Sequence, residues 1–491
     1  MNNWIRIVLL AAGSVCAADS ASAKPNILFI SVDDLRPELK CYGAEHMVTP
    51  NLDRLASQGL RFDRAYCQQA VCLPSRISLF TGMRPDSTGV HDLQTKFRET
   101  IPNAVIIPQH LAKHGYHTIG MGKVLHDEQW GDWDQWIDTK DLDGVQEYHL
   151  DDIVADMEKR TQEALAKGIK QHQLWKHVKG PSLEEAEKPD GTYHDGAMTD
   201  LAIAHLREKR DKPFFMTVGY KKPHLPFIAP KKYWDLYPAE TAKIPSNYTP
   251  PEGAPQTALS TWGELRAYTD IPAEGPVSDE KAIDLIRGYY ACVSFVDAQI
   301  GRLLAALEEE GLSQNTVVVL WGDHGWKLGE HGMWCKHTNY ELDARTPLII
   351  RMPDGQAAGK TTSAMVELID LYPTLCDIVG IETPTECEGK SLLPILANPA
   401  TNHRPAAVSQ FKRPRNTGGD FIGYSIKVPE GRYTEWIHLE SGKARFTEYY
   451  DHTADPDENR NAEQDLAPDE RARLSTLLHE SAALKEHAET P

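Results

Sequence analysis

Asn26-Ile27-Leu28-Phe29-Ile30-Ser31-Val32, closed by Asp33-Asp34, is the stretch on which the fold turns. Its residues are nearly all apolar rather than alternating, so both faces of the strand must be covered, as in the middle of a parallel sheet. Phe214 to Val218 and Thr316 to Trp321 read the same way. Three segments carry helical signals. Pro50 to Gly59 has Thr49 as N-cap, Pro50 at the first position and Gly59 at the stop; Ser278 to Gly311 and Met365 to Val379 complete the set. Strands interleaved with helices predict an α/β fold: a large mixed, mostly parallel sheet covered by helices on both faces.

Working outward, residues 1–23 read as a secretory signal. A short polar start is followed by the apolar run Ile7 to Ala18 and by Ala21-Ser22-Ala23, a small-residue cleavage site. The run is too short to span a bilayer, which takes about 20 residues, so no transmembrane segment is expected. The expected location is periplasmic or extracellular. A lipidated Cys16 is the minor alternative, because Val15 before it suits a lipoprotein signal poorly. Of eight cysteines, seven follow the leader, and an odd number leaves at least one thiol unpaired.

Residues 24–400 are expected to form a large N-terminal domain. Beyond the linker Ala397 to Arg404, short strand-like runs at Ala406–Gln410, Phe421–Lys427, Tyr433–Leu439 and Arg445–Tyr450 precede an acidic helix. They predict a smaller α+β domain with an antiparallel sheet over 401–491. The polar stretch Asp127 to His194 and the Pro-rich stretch Tyr237 to Val277 read as insertions at the rim of a site. Trp130, Trp133 and Trp136 lie in the first of them, where packing is the ordinary role and stacking on sugar rings the alternative.

With 52 Lys and Arg against 71 Asp and Glu, the net charge is −19. That excludes a general nucleic-acid binder, and any anionic substrate needs positive charge concentrated in one pocket. Two strands end in chemistry: Asp33-Asp34 after the first, Asp323-His324 after Thr316–Trp321. Carboxyl ends of strands in an open sheet converge on one crevice. Three carboxylates there need a cation between them, and hard oxygen ligands favour Ca²⁺ or Mg²⁺ over zinc. Cys72-Leu73-Pro74-Ser75-Arg76 reads as the start of a helix with Pro74 at its first position, which puts Cys72 at the positive end.

Cys72-Leu73-Pro74-Ser75-Arg76 with Thr81-Gly82 resembles the signature of the type I sulfatases of the alkaline-phosphatase superfamily, in which this cysteine becomes formylglycine. Val32-Asp33-Asp34-Leu35-Arg36-Pro37, Lys222-Pro223-His224-Leu225-Pro226-Phe227 and Asp323-His324-Gly325-Trp326 resemble the iduronate-2-sulfatase-like branch. The resemblance implies one Ca²⁺ held by Asp33, Asp34, Asp323, His324 and formylglycine-72. It implies that Arg76 orients the formylglycine and that Lys123 contacts both it and the sulfate. His126 accepts a proton from its hydroxyl, and His224 and Lys336 grip the sulfate. The implied activity is hydrolysis of sulfate esters on sulfated sugars of a polysaccharide or glycosaminoglycan, after maturation by a formylglycine-generating enzyme. Two alternatives stand beside it: a phosphate or phosphonate ester hydrolase of the same superfamily, and a non-catalytic binder of sulfated glycans.

Overall fold

The computed structural model describes residues 24–126, 132–140, 142–413 and 420–484. The expected signal segment 1–23, with Cys16, and Trp130 lie outside them. Eight strands form the main sheet: β1 (Asn26–Val32), β2 (Leu60–Tyr66), β3 (His117–Gly122), β4 (Gln135–Ile137), β5 (Phe214–Tyr220), β6 (Thr316–Gly322), β7 (Arg345–Arg351) and β8 (Lys360–Glu367). Their order is β8-β2-β7-β6-β1-β5-β3-β4. Only β7 runs against its neighbours, so the sheet is mixed and mostly parallel.

β1 sits in the middle between β5 and β6, and all seven of its residues are buried. Successive strand side chains point to opposite faces, so β1 feeds two separate cores. Leu28, Ile30 and Val32 pack into one with helices α1 (Pro50–Gln58), α3 (His194–Leu206) and α4 (Asp279–Glu309). Ile27 and Phe29 pack into the other with α2 (Cys72–Thr81) and α5 (Leu371–Val379). Phe29 meets Phe80 of α2 edge-on at 5.9 Å and Trp321 of β6 at 5.5 Å. Each such side chain contributes about 1.5–3 kcal/mol on full burial.

α4 is capped by Ser278, whose hydroxyl accepts from the Lys281 N–H at 3.3 Å. It is long and apolar enough to cross a membrane, yet most of that surface is buried, against α1, α3 and the short strand Phe227–Pro230. A second sheet, antiparallel in the order β9 (Ala407–Arg413), β10 (Phe421–Lys427), β11 (Gly431–His438), β12 (Lys443–Asp451), carries α6 (Pro468–Ser481). Leu474 and Leu478 of α6 pack on Ile426 and Tyr433 of that sheet.

Three local expectations are corrected. Met365 to Glu367 is the end of a strand, and the helix starts only at Leu371, after one 3₁₀ turn at Leu368–Asp370. A bulge between Thr362 and Met365 breaks the strand's alternation, which hides it in the sequence. The Thr49 hydroxyl does not cap α1; the buried Asp297 carboxylate takes the N–H groups of Asn51 and Leu52 instead, at 3.1 and 2.7 Å. Pro74 is the third residue of α2 rather than the first, still among the N–H positions a helix leaves unpaired. The seven described cysteines are all free.

Candidate active site

The crevice is built at one end of β1, β3, β5 and β6. β1 delivers Asp33 and Asp34, the latter in the left-handed region at φ 60°. β6 delivers Asp323 and His324, β3 delivers Lys123 and His126, and β5 leads into Lys221, Lys222 and His224. The first two turns of α2 supply Cys72 and Arg76, which brings the thiol to the positive end of a helix. A short ribbon pairing Lys327–Leu328 with Trp334–Cys335 turns Lys336 inward.

Arg76 organises the acids. Its Nε donates to Asp323 Oδ2 at 2.9 Å and its Nη2 to Asp33 Oδ1 at 3.0 Å, with all three side chains fully buried. Its remaining donors serve the carbonyls of Lys123 and Val124. Arg76 thus holds both carboxylates, and none of these donors goes to the Cys72 sulfur. The Asp34 N–H donates to Asp323 Oδ1 at 3.0 Å, joining the two strand ends.

Lys123 donates from Nζ to Asp33 and stands 3.7 Å from Cys72 Sγ. His324 Nε2 is 3.4 Å from the same sulfur. Lys336 Nζ lies 3.0 Å from Asp34 Oδ1 and 3.0 Å from Glu264 Oε2. Burial works against ionisation of Asp33, but Lys123, His224 and Arg76 outweigh it and hold its carboxyl well below the usual range. Asp34 goes the other way: burial raises it, with Asp33 adding to the rise, against the pull of Lys336 and His224. Burial and Asp33 push the Cys72 thiol well up, so as a bare cysteine it is no nucleophile at neutral pH.

The donor set fits a hard divalent cation. Carboxylate oxygens of Asp33, Asp34 and Asp323 lie within 4.8 Å of one another, and Asp34, Cys72 and His324 form an overlapping group. Asp33 adds to the rise that burial gives Asp34, and a divalent ion among the three acids would relieve both effects.

Beside this cluster runs a cleft of about 400 Å³, with Asp33, Lys123, His126 and His224 at its inner end. His126 lines the cleft without a hydrogen bond to Cys72; the protein around it and the Lys123 charge lower it to about 3, so the ring is neutral. Both expected insertions border the site: the first gives Trp136 and Lys179 to the cleft wall, the second Tyr268. Trp136 lines the cleft, whereas Trp133 is buried and stacks on Phe215 at 6.0 Å. Cys335 is a buried, inert thiol that burial and Glu264 push well up. Sequence reasoning missed Glu264. Its Oε1 is 3.0 Å from His224 Nε2, and no periodicity or motif in its Pro-rich segment marks it.

A family model described as sulfatase matches residues 25–381, and one described as the C-terminal part of N-sulphoglucosamine sulphohydrolase matches residues 329–484. This chain belongs to the sulfatase family. The sulfatase is similar to human iduronate 2-sulfatase, at 32% identity over 88% of this chain and 90% of the relative. It is 30% identical to an N-acetylglucosamine-6-O-sulfatase of Bacteroides thetaiotaomicron, over 89% of this chain and 82% of that one. Among solved structures, a complex with the substrate D-glucosamine-2-N,6-O-disulfate superposes with a TM-score of 0.74 at 25% identity, covering 95% of this sulfatase and 100% of that chain. The phosphonate monoester hydrolase of Agrobacterium radiobacter has the same TM-score at 20% identity, over 94% of this chain and 96% of its own, and so shares the fold. The sulfatase is a sulfuric ester hydrolase.

Proposed function

We propose that this sulfatase removes sulfate from sulfated sugars, with residue 72 matured to formylglycine and one Ca²⁺ held by Asp33, Asp34, Asp323, His324 and residue 72. The observation that carries the reading is the placement of Cys72: its sulfur lies between Lys123 and His324 and directly over the acidic cluster. The sugar-sulfatase names among its relatives support the substrate class. The N-terminal leader supports export to the periplasm or beyond.

The chemistry is a charge problem. A sulfate ester is an anion, and an oxygen nucleophile approaching it meets repulsion that grows toward the transition state. When bound, the cation supplies Lewis acidity and matured residue 72 a hydroxyl nucleophile. Lys123 and Lys336 place two ammonium groups where sulfate oxygens gather charge. His224 Nδ1 faces the Leu225 carbonyl at 2.6 Å and Nε2 faces Glu264 at 3.0 Å, contacts that fix the ring's orientation beside Lys336. In this reading His224 is the group that hands a proton to the departing alcohol. His126, kept neutral, has a lone pair free to accept one.

Mass spectrometry of the peptide spanning residue 72, from a host able to mature it, is expected to show the aldehyde. Ion chromatography is expected to show sulfate released from sulfated disaccharides. A thiol retained in active protein overturns the nucleophile. Phosphate release exceeding sulfate release on matched esters overturns the substrate class.

A further inference from the structure

We propose that Lys179 and Lys221 form a second anion subsite in the cleft, which takes a carboxylate or a second sulfate carried by the sulfated sugar. The inference rests on the sulfatase reading and goes further by naming the substrate as at least a dianion.

The cleft's volume, about 400 Å³, falls in the range of small-molecule sites, roughly 300–1,000 Å³. Its inner end is the reactive centre, so a ligand esterified there extends along the walls. Five lysines line it against three acids (Asp33, Asp138 and Glu147) in a chain whose net charge is −19. Two of the five are committed elsewhere near the centre: Lys123 to Asp33, and Lys222 to the carbonyls of His224 and Pro226.

Lys221 and Lys179 differ from these. The Lys221 N–H donates to both oxygens of buried Asp195 at 3.1 Å, which anchors its backbone at the end of β5. Among the described residues no carboxylate pairs with its ammonium or with that of Lys179. Lys221 is exposed at the cleft mouth; the protein around it lowers it, with Asp195 and Glu147 pulling the other way, and its ammonium faces the cleft without a direct carboxylate contact. Lys179 Nζ sits 5.3 Å from the centre of the Tyr268 ring. Tyr268 and Trp136 give the cleft aromatic walls against which a sugar ring packs.

The test is calorimetric binding to Ca²⁺-loaded Cys72→Ala protein. Three probes are compared: a sulfated disaccharide bearing a uronate carboxylate, its carboxyl-reduced counterpart, and a disulfated disaccharide without carboxylate. The dianionic probes are expected to bind about tenfold or more tighter than the carboxyl-reduced one. Lys179→Gln/Lys221→Gln should bring that preference to about one, and Lys179→Arg/Lys221→Arg should keep it. Whichever dianion is preferred identifies the group. Equal affinities in the parent, or a preference surviving the double Gln change, overturn the subsite. Sulfate release from the same probes by the mature enzyme is measured separately: anion-dependent binding without release overturns the sulfatase reading alone.

Discussion

Glu264 Oε1 stands 3.0 Å from His224 Nε2, and the same carboxylate lies 3.0 Å from the Lys336 ammonium. An acid from the Pro-rich insertion thus holds both groups proposed to grip the sulfate. Burial opposes its charge, but Lys336 and His224 keep it well below the usual carboxylate range, so it is ionised at working pH. Outer partners that orient reactive groups are worth about 10–100-fold in activity. Glu264→Gln is expected to lower kcat/KM for sulfate release by that amount with an unchanged melting temperature. Full activity would show that His224 and Lys336 need no such anchor.

Arg76 is the only described cation bonded to both Asp33 and Asp323. Removing one partner of a buried ion pair costs about 3–5 kcal/mol, because the others stay behind uncompensated. Urea unfolding of metal-free Arg76→Met protein should show a loss of that order. Arg76→Lys should recover only part, since one ammonium cannot span both acids. Wild-type stability in Arg76→Met would rule out the bridge as a structural element.

Metal removal is expected to abolish turnover, and added Ca²⁺ to restore it. Binding to the folded state alone also raises stability, by about 2.7 kcal/mol when free ion is a hundredfold over its Kd. Thermal melts with and without Ca²⁺ read this independently of activity. Asp34→Asn should remove the shift, and a shift that persists would place the ion elsewhere.

His337 follows Lys336, and burial lowers it to about 3 from an ordinary 6.5, with Glu264 opposing and Lys336 assisting. The unfolded chain therefore binds this proton first as pH falls. The contribution of His337 to stability is complete above about pH 7 and is lost as pH drops from about 6.5 toward 3, at no more than about 1.4 kcal/mol per pH unit. Denaturation of His337→Gln across that window should show a flatter acid decline than wild type. Parallel curves would mean the ring is freely protonated in the fold.

Cys72→Ser and Cys72→Ala are expected to lose turnover while keeping their circular dichroism spectra and melting temperatures near wild type. Serine retains a hydroxyl but cannot offer the second one that a hydrated aldehyde has. Wild-type turnover by either variant would remove residue 72 from the chemistry.

The centre of the sheet was legible because β1, β5 and β6 are buried on both faces and must be apolar throughout. The acids after β1 and β6 were legible for a related reason, since strand ends of one polarity open on one crevice. The edge was not. β8 exposes Lys360, Thr361 and Ser363 and breaks register at its bulge, so its apolar end merged with the helix that follows. Glu264, Lys179 and Lys221 escaped for another reason. Their meaning comes from neighbours far along the chain, as with Glu264 and Lys336, and irregular segments carry no period to reveal which way a side chain faces.

Cys72 is 2% exposed, and every residue of its helix is buried. An enzyme that alters this side chain must catch it while the segment is still an open strand of polypeptide. On the proposed maturation, modification and collapse would be in a race during synthesis, decided once. Folded molecules that kept the thiol would then form a permanently silent fraction, which a maturing enzyme added later could not rescue without first taking them apart.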